Sequence, residues 1–364
     1  MKPNLYVSFG WGLSSKQRGY NEMILHAEWL KTQKDKYNIV LLGVNRKESY
    51  WKKWQKEMAD IFDCYHYVDT GDIKFENWPD YIEQVTARMG RKLRNPQDVL
   101  FEIFSFMNSQ YTYDTTKKLN NLLTTHPEMH KNWLSTRGQV ERLFKTMAFA
   151  NANQLPVAHI IYDPNEVNWK ECDAFKGECT RLFFYGSKRF DAINFDHINY
   201  YFQNLKVEPV KKLYNFAVSY TVLTPDRKMM WQYEDELNGL PESIVLKEDK
   251  YKKVREFIPK PQYLELLNDS YYTLVLPSYQ RESFSYVRFI EAIAHNCIPL
   301  IMPECDLTEC FGDDELIKSL VTDPKDIFQK MIDWESSGLR LITLAALKSK
   351  FLNRSLDLDW ERHL

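Results

Sequence analysis

Short apolar runs alternate along the chain with longer segments of helical periodicity. In the first half, the runs that read as buried strands are 4–9, 37–44, 64–70, 157–163 and 180–187. A loop with Gly10 and Gly12 and a helical pattern over 20–31 separate the first two runs. Continuous apolar runs are typical of strands covered on both faces. The alternation therefore predicts an α/β domain with a parallel sheet.

The second half repeats this style. Its strand candidates are 212–220, 243–248, 271–277 and 297–303, and its helix candidates are 225–238, 261–268 and 341–362. Residues 75–150 read as mostly helical, which indicates an insertion in the first half. We therefore predict two Rossmann-like domains, 1–207 and 208–340, followed by a C-terminal segment 341–364. Two such domains that face each other would form a cleft at the carboxyl ends of their strands.

Composition narrows the class of protein. The chain has 364 residues, with 44% hydrophobic and 27% charged residues, which is typical of a soluble globular protein. The net charge of −2 excludes a uniformly basic protein but not a local basic groove. Six irregularly spaced cysteines without a CxxC pair argue against a structural zinc and favour free thiols in a reducing cytoplasm. The start of the chain lacks a signal-peptide pattern, and no apolar run is long enough to span a membrane.

Candidate chemistry is concentrated in the stretch YVRFIEAIAHNCIPLIMPE, 286–304. Its helix follows a serine-rich loop, where Ser283 or Ser285 could be the cap. A helix N-terminus attracts phosphate, Arg288 could fork onto a diphosphate, and Glu291 lies on the same face one turn later. A carboxylate there can accept hydrogen bonds from both hydroxyls of a ribose. The alternative is a surface Arg–Glu pair, which contributes only a few tenths of a kcal/mol.

This layout resembles the donor domain of GT-B glycosyltransferases and, more narrowly, the DNA β-glucosyltransferases of T-even bacteriophages. The resemblance implies that Arg288 and Glu291 hold a UDP-sugar. The stretch NFAVSYTVLTPDRKMM, 215–230, is similar to the family's first donor-domain strand and loop. There Ser219, Tyr220 and Arg227 would contact the donor. The chain departs from the family in having Thr221 where a second arginine is expected, and in lacking the glycine loop after the next strand.

The resemblance also implies acceptor-side residues in the first half. VAHIIYDPNE, 157–166, is similar to the strand that ends in the family's catalytic Asp, here Asp163. An Asp at that place could take the proton from the acceptor hydroxyl, or it could cap the turn at Pro164. Glu22, near the start of the first helix, would face the sugar and the acceptor. Weaker candidates for acceptor or DNA contacts are Lys16, Arg18, Arg137, Lys188 and Arg189.

The resemblance therefore implies a GT-B fold whose C-terminal helix crosses back to the first domain. The expected reaction is an inverting transfer from UDP-glucose or a UDP-pentose to a 5-hydroxymethylpyrimidine, preferably 5-hydroxymethylcytosine, in double-stranded DNA. Mg²⁺ or Mn²⁺ could assist the departure of UDP, although no residue set is assigned as a metal site. A monomer without membrane attachment is expected, in the host cytoplasm if the chain is phage-encoded. The alternatives are a GT-B enzyme with a glycan or small-molecule acceptor, a non-catalytic nucleotide- or DNA-binding protein, and a nucleotide-sugar epimerase.

Overall fold

A computed structural model gives the structure of the chain. The residues that it describes are 2–9, 18–43, 58–67, 99–104, 153, 155, 157–161, 180–184, 196–222, 225–249, 251–256, 258–277, 284–305 and 307–358.

The chain divides into two compact units. Unit 1 comprises Met1–His197 and Asp357–Leu364, and unit 2 comprises Ile198–Leu356. The division falls inside helix α2 (Asp196–Asn204), whereas the sequence prediction put the boundary after residue 207. The C-terminal segment predicted as 341–364 begins in unit 2 and ends in unit 1.

Unit 1 contains a six-stranded sheet in the order β3-β2-β1-β4-β5-β6. Its strands are β1 (Asn4–Phe9), β2 (Asn38–Gly43), β3 (Cys64–Tyr67), β4 (Val99–Phe104), β5 (Val157–Ile161) and β6 (Thr180–Phe184), and helix α1 spans Arg18–Gln33. All neighbouring strands pair in parallel. Leu5, Val7, Ile39 and Leu41 are fully buried, as expected for central strands covered on both faces. The strand order is that of a doubly wound nucleotide-binding sheet.

Strand β4 corrects the prediction of a helical insertion over 75–150. Its residues VLFEIF pair with β1 on one side and β5 on the other, at the centre of the sheet. The physical reason is the continuous apolar run, which suits a strand buried on both faces, where Glu102 is the single polar interruption. The rest of the predicted insertion lies outside the described residues.

Unit 2 has a five-stranded sheet in the order β11-β10-β7-β8-β9. Its strands are β7 (Tyr214–Val222), β8 (Ser243–Asp249), β9 (Val254–Arg255), β10 (Ser270–Val275) and β11 (Ile298–Ile301). Among the strand pairs described in this sheet, β8–β9 is antiparallel and the others are parallel. Both units are thus α/β with Rossmann-like strand order, and the predicted fold class is confirmed at this level. In unit 2 the order reverses between β7 and β10, so ligands are expected at the carboxyl ends of these two strands.

The helices of unit 2 connect and flank this sheet. They are α3 (Glu234–Asn238), α4 (Lys260–Asn268), α5 (Tyr286–Ala294), α6 (Thr308–Phe311), α7 (Glu315–Lys318), α8 (Ile327–Ser337) and α9 (Leu339–Phe351), with 3₁₀ turns at Pro225–Tyr233 and Pro324–Asp326. Gly338 joins α8 to α9 with a left-handed φ of 72°. None of the described helices is long and apolar enough to cross a bilayer.

Two helix predictions need correction. The helix predicted over 225–238 is a 3₁₀ helix until Tyr233 and an α-helix only from Glu234. Pro225 marks where a helix can start but does not determine which hydrogen-bond pattern follows. The helix predicted over 341–362 ends at Phe351, and residues 352–358 continue without helix. Asn353 and Ser355 lie two and four residues beyond Phe351, and side chains of these types compete with helical backbone hydrogen bonds.

Candidate functional site

Helix α5 begins at the carboxyl edge of the unit 2 sheet. The strand before it, β10, lies beside β7, so the first turn of α5 stands where the strand order reverses. Ser285 occupies the N-cap position, but its side chain makes no capping hydrogen bond, so the predicted side-chain cap is wrong for this serine. Ser283 lies outside the described residues. The N-terminal end of α5 therefore offers a positive helix dipole at the position where doubly wound sheets bind anions.

Aromatic packing fixes one face of α5. Phe289 is fully buried, and its ring lies 5.3 Å from that of Phe284 and 5.3 Å from that of Phe351 in edge-to-face geometry. The Tyr286 hydroxyl donates to Oδ1 of Asn199 at 2.6 Å. Since residues three and four apart share a helix face, this anchoring leaves Arg288 and Glu291 on a different face, which packs against α4.

Four side chains meet between α4 and α5, and we name them the Glu291 cluster: Lys260, Tyr263, Arg288 and Glu291. The Lys260 ammonium donates to Oε1 of Glu291, and Nη1 of Arg288 donates to Oε2 at 3.3 Å. Both cations also lie over the Tyr263 ring, with Cζ of Arg288 at 4.3 Å and Nζ of Lys260 at 5.3 Å from its centroid. The Glu291 side chain is 2% exposed, so this is not the surface pair that the sequence left open.

The position of Lys260 follows from the direction of α4. This helix ends at Asn268, immediately before β10 starts at Ser270. Helix and strand therefore run in opposite directions, and the first residue of α4 lies at the carboxyl edge of the sheet. Lys260 thus reaches the same edge as the first turns of α5, from a neighbouring helix.

The charges of the cluster are unequal in their environments. Burial alone would raise the pKa of Glu291, but the charges of Lys260 and Arg288 outweigh it and hold that pKa below its usual value. Burial lowers the pKa of Lys260 to about 8; Arg288 adds to this effect and Glu291 opposes it. At neutral pH the cluster thus has two cations for one carboxylate. The surplus positive charge lies at a helix N-terminus, where the electrostatic attraction for an anionic ligand is strongest.

A second set of charges lies at the carboxyl ends of β7 and β8, and we name it the Glu234 cluster: Glu234, Lys247 and Lys252. Nζ of Lys247 lies 3.0 Å and Nζ of Lys252 3.1 Å from the Glu234 carboxylate. Beside it, Nε1 of Trp231 donates to Oδ2 of Asp249 at 2.6 Å. These contacts tie the 3₁₀ turn after β7 to the end of β8.

Tyr220 belongs to the surroundings of the Glu234 cluster. Its side chain is 3% exposed, and its hydroxyl makes no hydrogen bond with the residues that the structure describes. Burial raises its pKa, and the nearby carboxylates of Glu234 and Asp249 raise it further. Its neighbour Ser219 is half-buried in β7 and pairs with Leu246 of β8, beyond the last β7–β10 pair at Ala217 and Thr273.

The other predicted site residues lie wholly or partly outside the description. Asp163, Lys16, Arg137, Lys188 and Arg189 are outside the described residues. Glu22 and Arg18 fall in α1, and Arg227 falls in the 3₁₀ turn after β7, but the description does not extend to their side chains. The structure thus brings together Arg288 and Glu291 among the predicted residues. Within the described part of the chain, no group of three or more His, Cys, Asp or Glu could hold a metal ion.

Lys260 and Tyr263 are the members of the cluster that sequence reasoning missed. Lys260 and Glu291 are 31 residues apart, and no local spacing connects them. The one available signal was the placement of Lys260 at the start of a helix that precedes a buried strand.

No protein-family model and no curated protein sequence matches the chain. The chain is similar to solved glycosyltransferase structures. One is the DNA-modifying enzyme β-glucosyltransferase solved with and without uridine diphosphoglucose, at 11% identity and a TM-score of 0.42, covering 95% of this chain and 98% of the other. Another is T4 phage BGT in complex with UDP and Mn²⁺, at 12% identity and a TM-score of 0.38, covering 95% and 99%. A third is Arabidopsis thaliana UGT89C1 complexed with UDP-L-rhamnose, at 10% identity and a TM-score of 0.47, covering 97% and 94%.

Proposed function

We propose that the chain is a glycosyltransferase of the GT-B type that uses a UDP-sugar, and that the nucleotide binds at the Glu291 cluster. The observation that carries this proposal is the pairing of an exposed arginine with a buried, ionised carboxylate at the N-terminal end of α5. The Arg288 side chain is 48% exposed and the Glu291 side chain 2% exposed. Arg288 can therefore reach a diphosphate beyond the helix, while Glu291 accepts hydrogen bonds from the ribose hydroxyls.

The loop after β7 would complete the phosphate contacts. Ser219 and Arg227 remain our candidates there, because the strand reversal brings the end of β7 next to α5. Tyr220 stays a predicted donor contact, and its hydroxyl is buried. A divalent cation could supply further charge at the departing diphosphate. The described residues offer no group of three His, Cys, Asp or Glu side chains that could hold it.

The chemical step that we propose is a single displacement. Asp163 takes the proton of the acceptor hydroxyl, the acceptor oxygen bonds to C1 of the sugar, and the bond from C1 to the UDP oxygen breaks with inversion. The negative charge that develops on UDP is stabilised by Arg288 and by the N-terminal end of α5. Glu22 would orient the sugar or the acceptor.

The acceptor that we propose is 5-hydroxymethylcytosine in double-stranded DNA. Its support is the sequence resemblance of the segments around Asp163, Ser219 and Arg288 to the phage DNA β-glucosyltransferases. The target base would have to leave the stack to reach Asp163, and the phosphate contacts would come from local basic residues such as Lys188 and Arg189. The sequence leaves the sugar open between glucose and a pentose.

Nucleoside mass spectrometry tests this proposal. The protein is incubated with UDP-glucose, UDP-arabinose or UDP-xylose, and with DNA that contains cytosine, 5-hydroxymethylcytosine or 5-hydroxymethyluracil. We expect the mass of a sugar to be added to a hydroxymethylated base and not to cytosine. This addition should be absent with Asp163→Asn. The control is Asp333→Asn, because Asp333 lies exposed on α8.

Each negative result has its own meaning. UDP release without transfer to any DNA would move the acceptor to a glycan or a small molecule. UDP binding without turnover of any donor would favour a non-catalytic nucleotide-binding protein. A failure of the folded protein to bind UDP would contradict the proposal.

A further inference from the structure

The Glu291 carboxylate is already occupied in the structure. Lys260 contacts one of its oxygens and Arg288 the other, and 2% of the side chain is exposed. Each oxygen has a second lone pair, but the burial of the side chain beneath the two cations limits access to it, so a ribose reaches Glu291 most easily when one of the two cations moves. The question is which cation leaves and what the remaining one does.

Arg288 is the better candidate to leave. Its side chain is 48% exposed, against 29% for Lys260, and it extends from the first turn of α5. A guanidinium matches the geometry of a diphosphate with two parallel hydrogen bonds, which a lysine cannot do. Once Arg288 turns away, a buried carboxylate without any cation would be costly, because an uncompensated buried charge loses its solvation.

We propose that Lys260 is the positioning residue of the donor site: it stays on Glu291 and keeps that carboxylate ionised while Arg288 moves to the diphosphate of the nucleotide. This inference rests on the proposed function and adds a residue that the sequence analysis did not assign. Lys260 acts through Glu291 and need not touch the donor itself. Without the charge of Lys260, Arg288 would have to remain on Glu291, and the diphosphate would lose the two parallel hydrogen bonds from the guanidinium.

Lys260 also makes donor binding sensitive to pH. The titratable side chains near Lys260 are Glu291 and Arg288 on α5, His295 at the C-cap of α5, Tyr263 on α4, and Cys297 after α5. Burial holds the pKa of His295 below its ordinary 6.5 and raises the pKa of Tyr263 and of Cys297 to about 12. Burial lowers the pKa of Lys260 to about 8. Among these described groups, Lys260 is therefore the one that titrates between pH 7 and pH 9.

The elements packed against the cluster contribute two further lysines whose pKa is lowered by burial, Lys212 before β7 and Lys348 on α9. Lys212, before β7, donates to the carbonyls of Asn268 and His295 at the opposite end of α4 and α5. On β10, Tyr272 donates to Glu335 of α8, and its pKa is raised by burial. Lys212 and Lys348 are the same in the wild type and in Lys260→Arg, so a change of affinity between pH 7 and pH 9 that appears only in the wild type reports on Lys260.

The test measures UDP binding by calorimetry at pH 7 and pH 9 for the wild type, Lys260→Arg and Lys260→Met. We expect the Kd of the wild type for UDP to be about tenfold higher at pH 9 than at pH 7, and the Kd of Lys260→Arg to stay the same. At both pH values, Lys260→Met should bind UDP about tenfold more weakly than the wild type does at pH 7, because one charged hydrogen bond is lost. Titration of UDP itself affects all three proteins alike. Lys252→Met serves as the control for removing a lysine from a carboxylate elsewhere.

A second readout separates positioning from simple packing. When Arg288 leaves and a diphosphate arrives, Lys260 should bind its proton more tightly, so the wild type should take up part of a proton on binding UDP at pH 8.5. Calorimetry in two buffers of different ionisation enthalpy measures this uptake, and Lys260→Arg should show none. Should Lys260→Met fail to fold, the wild type and Lys260→Arg still decide the matter.

The outcomes are distinct. UDP binding with parallel pH profiles and equal proton uptake in the wild type and Lys260→Arg would overturn the role of Lys260 and leave the proposed function standing. No UDP binding by folded wild-type protein at any pH would overturn both.

Discussion

The Glu291 cluster and the Glu234 cluster have the same composition of charge in two different settings. Each places one carboxylate between two cations at the carboxyl edge of the unit 2 sheet. In the Glu234 cluster, both lysines come from one short stretch around the end of β8, and the carboxylate side chain is 16% exposed. In the Glu291 cluster, the cations come from two helices, the carboxylate is 2% exposed, and Arg288 extends outward.

This difference suits the Glu234 cluster to a structural role and the Glu291 cluster to ligand binding. The Glu234 cluster closes a local turn, together with the bond from Trp231 to Asp249. Its charges already pair with one another across the ends of β7 and β8, so a ligand would add little favourable interaction. The Glu291 cluster combines a buried carboxylate with a movable cation at a helix N-terminus, so a ligand with hydroxyls and phosphates could replace an internal partner.

The largest effect should come from Glu291→Gln compared with Glu234→Gln. We expect Glu291→Gln to lower the free energy of unfolding by about 3 kcal/mol, because it leaves two cations without their buried partner. The more exposed Glu234→Gln should lose about 1 kcal/mol. Urea denaturation followed by circular dichroism measures both. Equal losses for the two variants would mean that the burial of Glu291 has no energetic consequence.

The next effect concerns binding rather than stability. Arg288→Ala should weaken UDP binding by about 10- to 100-fold, the value of a lost charged hydrogen-bond pair. Its thermal midpoint should change little because the side chain is half exposed. The matched control is Arg340→Ala, since Arg340 also pairs with a glutamate, Glu335, and lies 4.3 Å from the centroid of a tyrosine ring. If Arg340→Ala weakened UDP binding as much, the effect of Arg288 would not be local.

Trp231→Phe should affect stability but not UDP binding. Burial opposes the ionisation of Asp249, but hydrogen bonds from the Lys252 and Tyr251 backbone and from Trp231 hold its pKa below the usual value. Removing the indole N–H should cost about 1 kcal/mol at pH 7. A carboxyl with a lowered folded pKa contributes stability above its unfolded pKa of about 3.9 and loses it as the pH falls through the folded value.

The difference between Trp231→Phe and the wild type should therefore be constant above about pH 4 and shrink at lower pH, as the carboxyl becomes protonated first in the variant and then, at its lowered folded pKa, in the wild type. Urea denaturation at several pH values measures it. A difference that stays constant down to pH 2.5 would assign the loss to ring packing instead of to the hydrogen bond with Asp249.

The smallest effect is expected for Lys252→Met. Lys252 is one of two lysines on Glu234, and its side chain is 41% exposed. The loss should be between 0 and about 1 kcal/mol in the free energy of unfolding, and smaller still at high salt. Denaturation at low and high ionic strength checks this. A loss as large as that of Glu291→Gln would contradict the distinction between the two clusters.

The sequence patterns predicted the strands and helices better than they predicted the side-chain contacts between them. Strands such as β1 and β10 were foreseen because uninterrupted apolar runs end at glycine or proline. Strand β4 was missed because its six residues lie within a stretch that otherwise reads as helical. The pattern placed Arg288 and Glu291 on one helix face, but it could not show that Glu291 is buried or that Lys260 joins it, since both depend on how α4 packs against α5.

The two units also differ in how the chain supplies them. Unit 2 is built from one continuous stretch, whereas unit 1 needs both the first residues and Asp357–Leu364. The backbone N–H of Asp357 donates to the Asp196 carboxylate at 2.8 Å, which ties that last segment to unit 1. The central strand pair of unit 1 joins Leu5 to Val99, and that of unit 2 joins Phe216 to Tyr272. Fewer residues separate the paired positions in unit 2, so its central pairing closes a shorter loop of chain. During synthesis, the domain that is begun first is therefore the one that is completed last.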